Sequence, residues 1–219
     1  MSYRVNDIYH TVQGEGAMTG VSMVLVRLHG CSVGCSFCDT RETWAKIDDQ
    51  VWSLSAALGV NSNYCVASAN EIRDYCVAAH YDQWVMITGG EPLEQEIGPL
   101  VDSFRAAAIK TTVETSGTCL PNWGDHRPDW VTVSPKEGKP VFVETMKSAD
   151  ELKFVIGRHE DIERMENELK RLPADWPTLV CLQPVSLSPK ATDLCLEAVK
   201  ASAGRYRLSI QVHKLIGIA

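Results

Sequence analysis

An α/β fold built on a parallel sheet is the class that this sequence predicts, on three observations. Short apolar runs recur along the 219 residues, helical apolar patterns lie between several of them, and the residues with chemical character follow directly on the runs. A chain of this length buries a substantial core without disulfides, and one domain over residues 1–219 is expected.

The first clear run is Met23 to Leu28. Others cover Trp84 to Thr88, Thr111 to Thr115, Trp130 to Ser134, Leu152 to Ile156, Leu179 to Gln183 and Arg207 to His213. Helical spacing appears at Ile72, Cys76 and Ala79, at Ile162, Met165, Leu169 and Leu172, and at Leu194, Cys195, Ala198 and Val199. In parallel α/β architectures the loops leaving the carboxyl ends of the strands carry the ligand site. Here those loops hold Cys31, Gly89-Gly90-Glu91, Ser116-Gly117, Ser134-Pro135-Lys136 and Gln183-Pro184, and five loops are expected to converge on one mouth. The segment from about 44 to 81 is less regular, carries Asp48, Asp49, Asn61 and Asn63, and reads as an insertion with some helix and no legible motif.

A net charge of −7 with scattered acidic residues argues against broad nucleic-acid binding and against a polybasic membrane contact, which leaves a small-molecule partner. The opening residues show no basic start and no apolar h-region, and no stretch approaches the roughly 18 apolar residues of a membrane span, so a cytoplasmic protein is expected. Eight cysteines are many for such a chain, and in a reducing compartment clustered cysteines favour metal binding or catalysis. Only Cys31, Cys35 and Cys38 cluster. Cys65, Cys76, Cys119, Cys181 and Cys195 read as core or incidental thiols.

Those three thiols lie within eight residues as CxxxCxxC, with Gly30 and Gly34 allowing a tight wrap. Thiolates at this density suit a soft metal. Structural zinc and ordinary ferredoxin clusters take four protein ligands, yet no fourth Cys or His follows closely before Cys65, so one metal position is left open for substrate or cofactor. Buried core thiols, or a zinc site completed by a remote His, are the other readings of the loop.

With the aromatic Phe37 before the last cysteine, the loop resembles the signature of the radical S-adenosylmethionine (SAM) superfamily, which implies a partial (β/α)6-type TIM-like barrel with an insertion after the cluster loop. Reading outward, the chain resembles the bacterial 7-carboxy-7-deazaguanine synthase family of queuosine biosynthesis from end to end. The blocks are TVQGEGAMTG from Thr11, VRLHGCSVGCSFCDT from Val26, ITGGEP from Ile87, ETSGT from Glu114, VSPK from Val133, LQP from Leu182 and the terminal QVHKLIGIA.

The resemblance implies that Cys31, Cys35 and Cys38 ligate three irons of a [4Fe-4S] cluster and that SAM takes the fourth. Gly89, Gly90 and Glu91 then face the SAM amino group, Ser134, Pro135, Lys136 and Gln183 its carboxylate or ribose, and Phe37, Cys38 and Asp39 also border the cofactor. The implied substrate is 6-carboxy-5,6,7,8-tetrahydropterin. Val12, Gln13, Gly14 and Glu15 match the loop at the pterin edge, Arg27 the carboxylate partner, and Thr88, Glu114, His213 and the terminal carboxylate of Ala219 the other substrate positions. Thr40 matches the position that ligates Mg²⁺, where a hydroxyl is a suitable hard oxygen donor. Hydrogen abstraction from C6, ring contraction, return of the hydrogen and loss of ammonia follow, with Glu15 and Glu114 the candidates for moving protons.

Each residue also has a plainer reading. Glycine-glycine-glutamate is a common turn, Lys136 a solvated charge, Gln13 to Glu15 a hairpin turn, Arg27 the partner of a structural acid, His213 a near-core histidine, and Asp39-Thr40 a helix cap. The family further implies a homodimer and an external electron donor, flavodoxin. An activase acting on a polypeptide and a non-catalytic zinc or iron-sulfur scaffold are the rival functions. Pterin-dependent deoxyadenosine formation decides against the first, and a reconstituted sample with zinc in place of iron and no violet absorbance would end the radical reading in favour of the second.

Overall fold

The computed structural model describes residues 1–44, 51–52, 54, 64–79 and 83–218. Ala219 and part of the segment expected as an insertion, including Asp48, Asp49, Asn61, Asn63 and Tyr81, lie outside the described residues. The fold is α/β with largely parallel strands, as predicted, and the chain forms two compact units.

The first unit comprises Met1–Thr11, Ser22–Thr115 and Pro121–Trp130. Its strands are β1 (Ser2–Val12), β2 (Ser22–Leu28), β3 (Val51–Trp52), β4 (Tyr64–Ser68), β5 (Trp84–Gly89) and β6 (Lys110–Thr115), in the order β3-β4-β1-β2-β5-β6. Strands β2, β5 and β6 pair in parallel, with Val26 beside Ile87 and Ile87 beside Val113. All three side chains are fully buried, so one face of this sheet is core. Helices α1 (Ala69–Ala79) and α2 (Gly98–Ala106) cover the connections. Ile72 and Cys76, four apart, are the buried stripe of α1, and Leu100, Val101 and Phe104 that of α2.

Strand β1 was not legible among the apolar runs. Its Tyr3, Val5 and Ile8 point into the core while Arg4, Asp7, Tyr9 and Thr11 remain partly accessible, so its apolar content is diluted. It pairs antiparallel with β4, Ser2 opposite Ser68 and Val5 opposite Cys65, a departure from the all-parallel expectation.

The second unit comprises Val12–Val21, Ser116–Leu120 and Val131–Ala219. Strands β7 (Trp130–Val133), β8 (Glu151–Ile156), β9 (Leu179–Pro184) and β10 (Tyr206–Leu208) lie parallel in chain order. They alternate with helices α3 (Val143–Lys147), α4 (His159–Leu169) and α5 (Pro189–Ala201). At the start of α4 the Asp161 carboxylate accepts from the backbone N–H groups of Gly157 (2.8 Å) and Arg158 (3.0 Å), satisfying donors that the helix leaves unpaired. Leu152, Phe154, Ile156, Leu182 and Met165 are fully buried between sheet and helices.

One expected strand is corrected. The run from Arg207 to His213 is strand only as far as Leu208, and Val212–Ile216 forms a short helix, α6, on which His213 sits. The backbone turns after Ser209 donates to the Leu182 carbonyl (2.9 Å), and Val212 N–H donates to Gly14 (2.9 Å) instead of to a neighbouring strand. Gly217, at φ 69°, ends the helix in the left-handed conformation that glycine tolerates.

Candidate functional site

In the first unit the cysteine loop is built onto the carboxyl ends of β2 and β5. The ladder between those strands continues past their ends: Gly90 N–H donates to Leu28 O and Glu91 N–H to Gly30 O, both at 2.9 Å. A Cβ on Gly89 would lie 2.2 Å from Leu28 O, and its φ of 134° is itself a glycine conformation. A Cβ on Gly90 would lie 2.0 Å from Gly30 O and 2.9 Å from Cys31 Cβ. The glycine pair therefore permits direct backbone contact between the GGE turn and the start of the cysteine loop.

Gly30 is held from the other side by its own N–H, which donates to Thr43 O (2.9 Å), and Thr43 is fully buried. The loop between them is closed by Ser32, whose N–H and hydroxyl both donate to Glu94 Oε1 (2.8 and 2.6 Å). Within it Cys38 N–H donates to Cys35 O (3.2 Å), and Cys38 Sγ accepts from Thr40 N–H (3.4 Å). Cys31, Cys35 and Cys38 are free thiols of intermediate burial. Burial pushes the Cys31 thiol above its ordinary value, with Glu94 and Glu91 adding to the effect and the Val33 and Gly34 backbone N–H groups opposing it.

Among the described residues no three Cys, His, Asp or Glu side chains converge on one point as a mononuclear site requires. Thiolates that each bind a different iron of one cluster need not converge. Half-buried thiols on a loop with glycines at both turns fit such a group.

Beside the loop, sheet register assembles a polar row. Arg27 on β2 pairs with Thr88 on β5, and Glu114 follows Val113, the partner of Ile87, on β6. All three are of intermediate burial and lie one step from the buried row of Val26, Ile87 and Val113, hence on the opposite face. Arg27 Nη2 donates to Tyr9 Oη (3.1 Å). Burial pushes the Asp7 carboxyl up while Arg27 pulls it back, so the plainer reading of Arg27, as partner of a structural acid, has some basis as well. Glu91, 1% exposed, accepts from Leu93 N–H (3.1 Å) and Thr115 Oγ1 (2.5 Å), so one of its oxygens caps the Pro92–Glu94 turn. Phe37 is 39% exposed and Asp39 is exposed.

Replacing Gly90 by alanine is expected to push the cysteine loop off β5, because the added carbon meets backbone and not a flexible side-chain tip. Overpacking of this kind costs about 1–3 kcal/mol. A lowered melting temperature and less iron bound per chain after reconstitution are the results that check it.

The second unit gathers another set. The connection after β1 is a hairpin, with Gln13 N–H donating to Val21 O (2.9 Å) and Gly20 N–H to Gln13 O (2.8 Å), and it carries a polar cluster as well. Glu15 N–H donates to Gln13 Oε1 (3.1 Å), and Gly14 lies so close to His213 that a Cβ there would fall 2.2 Å from Nδ1. Gln13, Gly14, Glu15 and His213 are thus brought together, and Val12 borders them, 37% exposed. Ser134 and Pro135 are buried, and Lys136 Nζ donates to Ser134 Oγ (2.8 Å). Gln183 is buried, its Oε1 accepting from Ser209 Oγ (3.3 Å).

Lys153, Glu151, Gln211 and Ser209 were not singled out by the sequence, yet all are buried here. Lys153 Nζ forms an ion pair with Glu15 Oε2, and Gln211 Nε2 donates to Glu15 Oε1 (2.7 Å). Glu151 Oε2 accepts from Ala17 N–H (2.9 Å), and Ser209 Oγ from Gly16 N–H (2.8 Å). The available signal was two charges at i and i+2 in an apolar strand, which share a face. Burial alone pushes the Glu15 carboxyl up, but the Lys153 ammonium, Gln211 and His213 outweigh it and bring it down to about 2. Of the scattered cysteines, Cys76, Cys181 and Cys195 are buried and pushed up to about 12 by desolvation, as inert core thiols are. No helix among the described residues is long and apolar enough to cross a membrane.

A family model for a 4Fe-4S single cluster domain matches residues 12–131. The 7-carboxy-7-deazaguanine synthase of Escherichia coli strain K12 is 38% identical, with all of both chains covered. Those of Buchnera aphidicola and Synechocystis are each 30% identical over the whole of this chain, covering 100% and 94% of their own lengths. The crystal structure of QueE from Escherichia coli superposes with a TM-score of 0.90 at 37% identity, covering 97% of this chain and 95% of the other. With matches of this extent and a cysteine loop braced on the glycine turn, the chain belongs to the 7-carboxy-7-deazaguanine synthase family of radical SAM enzymes.

Proposed function

We propose that the chain converts 6-carboxy-5,6,7,8-tetrahydropterin to 7-carboxy-7-deazaguanine, with Mg²⁺ dependence and release of ammonia, on the route to queuosine. The observation that carries this reading is the backbone contact between Gly30-Cys31 and Gly89-Gly90, alongside the row Arg27, Thr88 and Glu114.

When bound, the cluster and SAM supply the radical that takes a hydrogen from the substrate. Cys31, Cys35 and Cys38 hold the cluster. Gly89, Gly90 and Glu91, with Phe37 and Asp39, border SAM, and Ser134, Pro135, Lys136 and Gln183 serve its polar groups. Arg27 offers its planar guanidinium to the substrate carboxylate, for which bidentate pairing is suited. Thr88, Val12, Gln13, Gly14 and His213 complete the substrate contacts, and the Thr40 hydroxyl would supply one hard oxygen to Mg²⁺.

The two carboxylates take different parts. Glu15, lowered to about 2, remains ionised at any working pH and is a poor proton donor or base near neutrality. It therefore binds, and the proton transfers that accompany loss of ammonia fall to Glu114. A cytoplasmic homodimer reduced by flavodoxin belongs to the same reading.

The test is an anaerobic assay of the reconstituted protein with SAM, dithionite, Mg²⁺ and the carboxytetrahydropterin. Deazaguanine product is expected, with equal ammonia. SAM cleavage without that product points to another substrate, and an activase cleaves SAM without any need for the pterin.

A further inference from the structure

We propose that Lys153 is a positioning residue for the substrate loop: paired with Glu15, it keeps that carboxylate ionised and fixed as a pure hydrogen-bond acceptor for adjacent N–H donors of the heterocycle. The inference rests on the reading that Glu15 meets the pterin.

The geometry points to this role in three ways. Lys153 is only 4% exposed, so its ammonium is removed from water and needs compensation, which the Glu15 carboxylate supplies. It stands on β8 beside Cys181 of β9, on a rigid central strand and not on a loop. Two residues earlier on the same face, Glu151 holds Ala17 N–H, while Ser209 holds Gly16 N–H and Gln211 holds the other Glu15 oxygen. The turn carrying Glu15 is thus pinned at three successive residues.

An ionised carboxylate has about four lone-pair sites and no donor. Lys153 and Gln211 take one on each oxygen, which leaves acceptor capacity on both. A protonated Glu15 would lose its charge and turn one acceptor site into a donor, and so would bind those N–H groups more weakly. Keeping the proton off is therefore part of recognition. Without Lys153, burial raises the Glu15 carboxyl, and affinity then falls as pH falls.

The titratable groups around Glu15 are Lys153 and Glu151 on β8, Cys181 behind them on β9, and His213 and Lys214 on α6, Lys214 donating to Gln211 Oε1 (2.9 Å).

The experiment is calorimetric binding of 6-carboxypterin to the reconstituted holoenzyme under anaerobic conditions, as a function of pH, for wild type, E15Q, K153M and K153R. K153M is expected to weaken binding about tenfold to a hundredfold. It should also add an ionisation to the pH profile, affinity rising with pH, which wild type and K153R lack. An E15Q variant that binds as well as wild type removes the reading beneath the proposal. If E15Q weakens binding while K153M matches wild type in affinity and profile, Lys153 has no positioning role and the reading of Glu15 survives. Should K153M be too unstable to measure, the wild-type protein decides: its Glu15 ¹³C carboxyl resonance, identified by loss in E15Q, must stay that of a carboxylate down to about pH 4. Protonation above that pH overturns the proposal.

Discussion

Alanine in place of any one of Cys31, Cys35 or Cys38 is expected to lower product formation at least about a hundredfold, since removing even the outer partners of a metal ligand costs about 10–100-fold. On the proposed reading each thiol has a separate iron to hold, so no neighbour would substitute. The loop backbone is braced independently, through Gly30, Ser32 and Thr43, so the fold should survive while the cluster is lost. Iron per chain and absorbance in the violet after reconstitution are the direct readouts. Cys119→Ala, which alters another partly buried thiol outside the loop, should retain both. If the Cys119 variant lost the cluster and the loop variants kept it, the ligand set would have to be sought elsewhere.

Breaking the buried pair should be the most costly single change to stability. Lys153→Met leaves the Glu15 carboxylate, 16% exposed, without its cation, and removing one partner of such a pair costs about 3–5 kcal/mol. The double variant E15Q/K153M should recover part of that loss, because the stranded charge goes with its partner. Urea unfolding of the single and double variants checks both statements.

The same pair sets a pH signature. Glu15 is lowered from 4.5 to about 2 in the folded chain, so unfolding takes up protons. Its contribution, about 3 kcal/mol, is fully present above about pH 4.5 and is lost as pH falls through about 2. Wild type should therefore lose stability over that acid window more steeply than E15Q, as thermal melts across it would show.

Much of the first unit's site was legible. CxxxCxxC and GGE are local patterns, and their meaning depends on a few consecutive residues and on each following a strand. The row of Arg27, Thr88 and Glu114 was named residue by residue through family resemblance, but that they lie side by side depends on a parallel register that no local pattern reveals. His213 was named yet put on a strand, since a short run such as Arg207 to His213 carries no decisive period. The antiparallel pairing of β1 with β4 was missed because Tyr3, Val5 and Ile8 are interspersed with polar residues and announce no apolar run.

The sequence by itself determined the α/β class, the three-thiol loop and the glycine turn that follows its strand, because each is written in neighbouring residues and strand-helix periodicity. Only the tertiary structure decided what surrounds Glu15. Lys153 lies 138 residues away along the chain and Gln211 196, and as isolated letters they are an ordinary lysine and glutamine. Burial turns them into the partners of a carboxylate, since a charge withdrawn from water must find its compensation wherever the fold brings one within reach.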